Sequence, residues 1–343
     1  MKSIDAAGSF NAIGRQVGQA TKEDILHVVA ATREFLSRKS AIADIAEADR
    51  IAVDVLRDTA ARYPKAMEYL LGLSEGSGVP FADITLVAFS EEIMAWAAVP
   101  VSKCSTLAVP TAQGWVIGHN EDYQSHYLGR MFILHMWPDG HPQTASLNYP
   151  GQLPCLAGTL NRNGFSVTNN SLWPATQKGP SLQARHFMAT QAGSFREAVK
   201  ILTSEPSALT SHFTVAGGED DELFSIEVSN QAIATVDLAV VPVDGPFCHT
   251  NHVLYLPLRD RDPANESSYQ RYDKLRSIID AGRLPSSPDA MMDLLSMEDG
   301  VLCRSAQQCP DSTTLATVVI RPKTRHLTVM EHGSGAATHS IHL

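Results

Sequence analysis

Cys104, Ser105 and Thr106 open one apolar run, and His119, Asn120, Glu121 and Asp122 close the next, within the stretch SKCSTLAVPTAQGWVIGHNEDY. Polar residues gathered at the ends of buried strands are where catalytic groups tend to be built. The chemistry these types suit is nucleophilic: a thiol is the strongest ordinary nucleophile near neutral pH, once a base or a cation raises its ionised fraction. Local sequence leaves open the alternative that Cys104 is a small, packed core residue. The other cysteines, Cys155, Cys248, Cys303 and Cys309, are scattered without a C-x-x-C pair, which argues against a disulfide framework or a zinc ribbon. A metallohydrolase would have to use His119, Asp122 and His126, or His249 and His252, in spacings that match no well-known ligand motif. A Cys/His thiol protease could draw on 13 histidines, none within a recognisable signature.

These residues need elements to hold them. Residues 20–98 place apolar side chains near a 3.6-residue period, as at Ile25, Val28, Val29, Ala31 and Phe35, so the first hundred residues are expected to be mainly helical. LSEGSGVP supplies a glycine stop and VPFADITL a new start. From Cys104 the texture changes to short runs rich in β-branched and aromatic residues: STLAVP, GWVIGHNE, MFILHMWP, TASLNYP and GFSVTNNSLW, separated by turns such as PDGHPQ and NRNG. ARHFMATQAGSFREAVKILTSEP returns to a helical period, with Ser194 as an N-cap. FTVAGG, LFSIEVS, AIATVDL and FCHTNHVL predict strands, SSYQRYDKLRSIIDAG and PDAMMDLLSM predict helices, and TTLATVVIRP with HLTVMEHG predicts a closing hairpin. Strands in runs, without βαβ alternation, point to an α+β layered fold.

The composition narrows the partners. Hydrophobic residues make up 44% of the 343 and charged residues 19%, enough of the first for a substantial core. A formal net charge of -10 without a long Lys/Arg cluster argues against nucleic acid and fits a small or neutral substrate. The N-terminal MKSIDAAGSFNAIG lacks a signal-peptide apolar run, and IMAWAAVPV at 93–101 is too short to span a bilayer, so a cytoplasmic protein without membrane contact is expected. Neither a cofactor nor a metal is called for, and no glycine-rich phosphate loop for coenzyme A is legible.

Cys-Ser-Thr at 104–106, followed by Gly118-His119-Asn120-Glu121-Asp122-Tyr123, resembles the junction of the acyl-coenzyme A:6-aminopenicillanic acid acyltransferase family (peptidase C45 type), a branch of the N-terminal nucleophile hydrolases. GSFNAIGRQVGQ (8–19), LSEGSGVPFADI (73–84), NRNGFSVTNNSL, ARHFMATQAGSFREAV, HTNHV and LCRSAQ follow in that family's order, so the resemblance covers most of the chain. It implies a four-layer αββα sandwich of two antiparallel sheets. It also implies one intertwined domain over 1–343, made as a precursor and cut before Cys104. A helical small chain, 1–103, would stay packed on a catalytic large chain, 104–343, and a homo-oligomer is compatible with this.

The site residues follow from the same resemblance. Cys104 would attack its own preceding carbonyl, and the freed α-amino group, with an unperturbed pKa of ~7.7–8.0, would then serve as base for the thiol of the same residue. Asp122 would hold that amino group and thiol. Asn251 would donate to the tetrahedral oxyanion, an interaction whose loss typically costs about 2.7–4 kcal/mol of barrier. Arg304 would favour the thiolate and hold the acyl or carboxylate part of a substrate. Asn170, with Asn169 beside it, falls where related amidases complete the oxyanion hole, and Asn120 is expected to hold the loop. Two positions depart from the family pattern. Lys103 stands where the penicillin acyltransferase has glycine, and its β-carbon restricts how the scissile peptide can be strained. Glu121 with Tyr123 replaces a tryptophan-rich form and bears on the binding pocket. The expected activity is hydrolysis of a linear amide of a small N-acyl compound, with acyl transfer to an amine, or from coenzyme A, as the alternative.

Overall fold

The described residues of the first hundred fold as their periodicity predicts, except at the very start. The computed structural model describes residues 1–39, 45–96, 104–172, 179–204, 208–232, 235–256, 266–309, 312–333 and 337–343; Lys103, and with it the expected cleavage position, lies outside the described residues. Lys2–Gly8 form a strand, β1, where the period gave none. Helices α1 (Phe10–Ala20), α2 (Lys22–Lys39), α3 (Ile45–Arg62), α4 (Pro64–Ser77), α5 (Phe81–Ala88) and α6 (Ser90–Trp96) follow. The Ser9 hydroxyl caps α1 by accepting from the Ala12 N–H at 3.2 Å. Pro64 opens α4, and Gly78, at φ 72°, closes it in the left-handed conformation that glycine adopts most cheaply.

The glycines of the two N-terminal motifs have a packing cause. Gly14 and Gly18 of α1 face Gly72 and Gly76 of α4 so closely that a β-carbon at Gly14 would fall 2.1 Å from the Tyr69 carbonyl oxygen. One at Gly76 would fall 2.0 Å from that of Arg15. The two helices thus touch backbone to backbone, with no room for a side chain between them.

After Cys104 come β2 (Ser105–Thr111), β3 (Gly114–Tyr123), β4 (Phe132–Pro138), β5 (Thr144–Asn148), β6 (Thr159–Asn161) and β7 (Phe165–Ser171). Helices α7 (Leu182–Thr190) and α8 (Phe195–Thr203) break the run, and Ser194 caps α8 as expected, accepting from the Glu197 N–H at 3.2 Å. β8 (Ser211–Gly217), β9 (Glu222–Ala232), β10 (Thr235–Pro242) and β11 (Phe247–His249) precede α9 (Glu266–Asp280) and α10 (Pro288–Ser296). β12 (Thr313–Arg321), β13 (His326–Glu331) and β14 (Thr338–His342) end the chain. FCHTNHVL is strand only over Phe247–His249, and the closing hairpin gains β14 as a third strand.

Two sheets result, one in the order β1-β4-β5-β6-β7-β8-β9-β10 and the other β11-β2-β3-β12-β13-β14. Pairing is antiparallel except between β1 and β4, which run parallel, because β1 arrives from the N-terminal segment rather than by a hairpin. The sheets meet through Ala108, Ile117, Ala216 and Leu223. Helices α7 and α8 cover the first sheet with Phe187, Ala198 and Leu202, joined there by the N-terminal helices. Helices α9 and α10 cover the second with Leu275, Met291 and Leu295. This is the αββα sandwich. Among the described residues, no helix is long and apolar enough to cross a membrane.

Candidate active site

Strand β3 is buried along its whole length and carries polar groups on both faces. Successive side chains of a strand point to opposite faces, and Thr106 pairs with His119 and Ser105 with Asn120. His119, Glu121 and Tyr123 therefore share the inter-sheet face with Thr106 and, by the same alternation, with Cys104. Asn120 and Asp122 share the other face with Ser105, toward α9 and α10.

On the inter-sheet face the Cys104 thiol donates to Glu121 Oε1 across 3.7 Å, and the Tyr149 hydroxyl donates to the same oxygen at 2.5 Å. Glu121 Oε2 lies 3.0 Å from His119 Nε2, and His119 Nδ1 lies 2.9 Å from Thr106 Oγ1. The Thr106 hydroxyl donates in turn to Asn170 Oδ1 at 2.9 Å. Cys104, His119 and Glu121 bring a sulfur, a nitrogen and an oxygen within 4.8 Å of one another, close enough to share protons or to bridge an ion. Beyond Asn170, His212 stacks on His249 with ring centroids 3.5 Å apart, and His249 Nε2 lies 2.9 Å from Glu227 Oε1. Burial first, and then the carboxylates of Glu121 and Asp122, push the Cys104 thiol well above its ordinary pKa; the Asp122 backbone N–H and the Arg271 charge act in the opposite direction.

On the other face Arg304 donates to Asp122 Oδ2 at 2.7 Å, while Asp122 Oδ1 is buried without a partner among the described residues. Arg271, fully buried, donates through one nitrogen to the Cys104 carbonyl oxygen and to Ser105 Oγ, the latter at 2.9 Å. Through another it donates to Asn251 Oδ1 at 2.7 Å. Burial lowers Arg271 to about 10, against the pull of Asp122, so it stays charged at neutral pH. The Asn251 amide donates to the Ser171 carbonyl at 2.8 Å, which leaves it one further N–H.

The expected residues thus converge with changed partners. Asp122 lies across β3 from the thiol and is paired with Arg304, and the carboxylate that meets the thiol is Glu121; a strand cannot present neighbours to the same face. Arg304 is spent on Asp122, and the guanidinium beside Cys104 is Arg271. Asn170 has a buried Nδ2 without a partner among the described residues, aimed at neither Thr106 nor His212, which both bind its Oδ1. Asn169 turns to Ser211 instead. Tyr123 packs its ring 5.4 Å from those of Tyr127 and Tyr149, walling the inter-sheet face. Asn120 holds structure as expected, donating to the carbonyls of Leu295 and Leu302 at 2.8 Å each. His126 packs its ring at a tilt against Tyr127, and His252 bonds Ser268, so the histidine spacings of the metallohydrolase reading do not converge.

Sequence reading missed Arg271, although a signal existed. Ser268, Arg271, Leu275 and Ile278 form the buried stripe of α9, and an arginine in that stripe must have an interior partner. It also missed the acids of α6. Burial, then the charges of Glu92 and Glu121, raise Glu91 to about 8, and burial raises Glu92 to about 7. The Ser171 hydroxyl donates to Glu91 at 3.5 Å, so the N-terminal segment reaches the residue whose carbonyl holds Asn251.

Two stacked sheets between helical layers, with a buried cysteine at the head of an inner strand, define the N-terminal nucleophile hydrolase class. The model of the acyl-coenzyme A:6-aminopenicillanic acid acyl-transferase family matches residues 109–336, well over half of the chain. The chain belongs to that family and is an enzyme of the amidase and acyltransferase kind. No curated protein matches it significantly. Among solved structures it is similar to a Caenorhabditis elegans ortholog of N-acylethanolamine-hydrolyzing acid amidase, at 14% identity and a TM-score of 0.44, covering 64% of this chain and 93% of that one. It is similar also to a conjugated bile acid hydrolase from Clostridium perfringens (11%, TM-score 0.47, 70% and 92% covered). A third is a penicillin V acylase from Agrobacterium tumefaciens (10%, TM-score 0.43, 70% and 86% covered). These are remote similarities, and membership of the family rests on the sequence model.

Proposed function

We propose that the protein is a self-processing cysteine amidohydrolase that cleaves the linear C–N amide bond of a small N-acyl compound through a thioester. The observation that carries this reading is the buried Asp122 Oδ1, an acceptor without a donor among the described residues, on a carboxylate whose charge acts on the Cys104 thiol from across β3; the base of that nucleophile is missing until its peptide bond is cut. An unpaired buried carboxylate oxygen is costly, and the α-ammonium or amine of a newly freed Cys104 is the donor that would satisfy it.

In turnover the amine takes the thiol proton, and sulfur attacks the substrate carbonyl. The oxyanion receives the remaining Asn251 N–H and the free Nδ2 of Asn170. Collapse expels the substrate amine, which leaves with the proton, and water then hydrolyses the thioester. Arg271 fixes the Cys104 carbonyl and the Asn251 oxygen with one rigid fork, so nucleophile and oxyanion donor keep their spacing. Residues 1–103 and 104–343 remain together as two chains of one domain.

Intact-mass measurement with N-terminal sequencing tests the reading. Two fragments, the larger beginning CSTLAV, are expected, together with release of free amine from N-acyl amides; a fully active single chain of 343 residues sinks it. Acyl transfer uses the same thioester and would show as capture of the acyl group by an added amine in preference to water.

A further inference from the structure

We infer that Glu121 is the base that starts the cleavage of the chain in front of Cys104. The inference rests on the self-processing reading above. Before the cut, the Cys104 nitrogen is an amide without basicity, so the thiol needs another proton acceptor.

Among the described residues, one carboxylate meets the thiol. Glu121 Oε1 is the acceptor that the Cys104 thiol meets, at 3.7 Å, whereas Asp122 lies on the opposite face of β3 with Arg304 on its Oδ2. Arg271 has no lone pair to offer. Tyr149 donates its hydroxyl to Glu121 Oε1 and so orients that carboxylate.

The hydrogen bonds also fix the proton count. With Asn170 oriented as in the structure, the single hydroxyl proton of Thr106 goes to Asn170 Oδ1, so Thr106 Oγ1 accepts from His119 Nδ1–H. His119 Nε2 and Glu121 Oε2, 3.0 Å apart, must then share one further proton, as imidazolium with carboxylate or imidazole with carboxylic acid. In the first form the pair is neutral overall, and accepting the thiol proton leaves an imidazolium beside the thiolate, which stabilises it in a site without bulk water.

The step balances. The S–H bond of Cys104 breaks and its proton passes to Glu121 Oε1, while sulfur bonds to the carbonyl carbon of residue 103 and the carbonyl electron pair moves to oxygen. Collapse breaks the C–N bond to Cys104, whose nitrogen takes the proton back from Glu121, and a thioester results. One water then hydrolyses it to the carboxyl of residue 103 and the free thiol.

The test follows cleavage of the full chain by intact mass over time, with thermal melting of each variant as a check on folding. Glu121→Gln is expected to slow cleavage by about a hundredfold or more, the scale of general-base catalysis, and Glu121→Asp to recover part of the rate. Glu121→Ala should be restored by added formate, which can enter the vacated space as a carboxylate, and not by chloride. Wild-type chain that is cut while Glu121→Gln is cut equally fast overturns the inference and leaves self-processing intact. A stalled Glu121→Ala that formate does not rescue overturns it too, since Glu121 is then only structural. Wild-type chain that never cleaves removes both.

Discussion

The side chains around Cys104 divide by strand face, and the division sets their work. The thiol and Glu121 occupy one face and Asp122 with Arg304 the other, while Arg271 reaches the Cys104 carbonyl from α9. Arg271→Lys keeps the charge but cannot hold Cys104, Ser105 and Asn251 at once. A buried hydrogen bond to a charged group is worth ~1.5–3 kcal/mol, so kcat/KM is expected to fall by about tenfold to a hundredfold in steady-state assays with an N-acyl amide. Arg271→Met should also push the thiol further up, because it removes the cation that opposes burial; alkylation by iodoacetamide would then set in at higher pH than in the wild type. The family resemblance singles out Cys104, Asp122, Asn251 and Arg304, and the structure draws all four into one region, with Arg304 on Asp122 and Arg271 on both Cys104 and Asn251. Which carboxylate of the Glu121-Asp122 pair meets the thiol was not legible, since adjacent residues are equivalent in sequence until pairing assigns their faces.

At the scale of elements, α1 and α4 form the tightest contact of the N-terminal layer, and their glycines are the cause. Gly76→Ala would place a β-carbon 2.0 Å from the Arg15 carbonyl oxygen, so the helices must part. The expected loss is about 1–3 kcal/mol, the usual range for overpacking, visible as a lowered Tm by calorimetry. Gly245→Ala, with open space around its new carbon, is the control expected to leave Tm unchanged. The helices themselves were readable from apolar period, caps and stops, as at Ser194 and at the glycine stop of LSEGSGVP, where Gly78 ends α4. Strand β1 was not: Lys2–Gly8 is short, includes two alanines, and finds its partner only at Phe132–Pro138. A pairing that distant in sequence leaves no local periodic mark.

At the scale of the molecule, the described part of the segment before Cys104 is packed into the elements that follow it. β1 adds a strand to the larger sheet, and Glu92 of α6 accepts from the hydroxyl of Ser181, the N-cap of α7, at 2.7 Å. The Ser181 N–H donates to Thr59 of α3 at 2.8 Å. Glu92 is 3% exposed, and its folded pKa of about 7 lies above the ordinary value of 4.5. The folded state therefore binds the proton more tightly than the unfolded one. Its contribution is fully present below the ordinary value and is lost as pH rises through about 7, on the order of 3 kcal/mol for such a shift. Wild-type Tm should fall between pH 5 and pH 8, and Glu92→Gln should flatten that slope. If Glu92→Gln melts with the wild-type pH dependence, the buried acid is not its source.

The sequence by itself determined the helical and strand texture and, through its ordered motifs, the αββα class, and it singled out Cys104 as the candidate nucleophile. These depend on local period, caps and residue type, which are properties of short stretches. Tertiary structure alone decided that Glu121, rather than Asp122, faces the thiol, that Arg271 rather than Arg304 is its neighbouring cation, and that α6 delivers acids to the same region. Each of these depends on which face a strand or helix turns inward and on which distant element covers it. Burial then acts on the assembled groups, raising the thiol and Glu92 together, because desolvation is a property of the packed interior and of no residue alone.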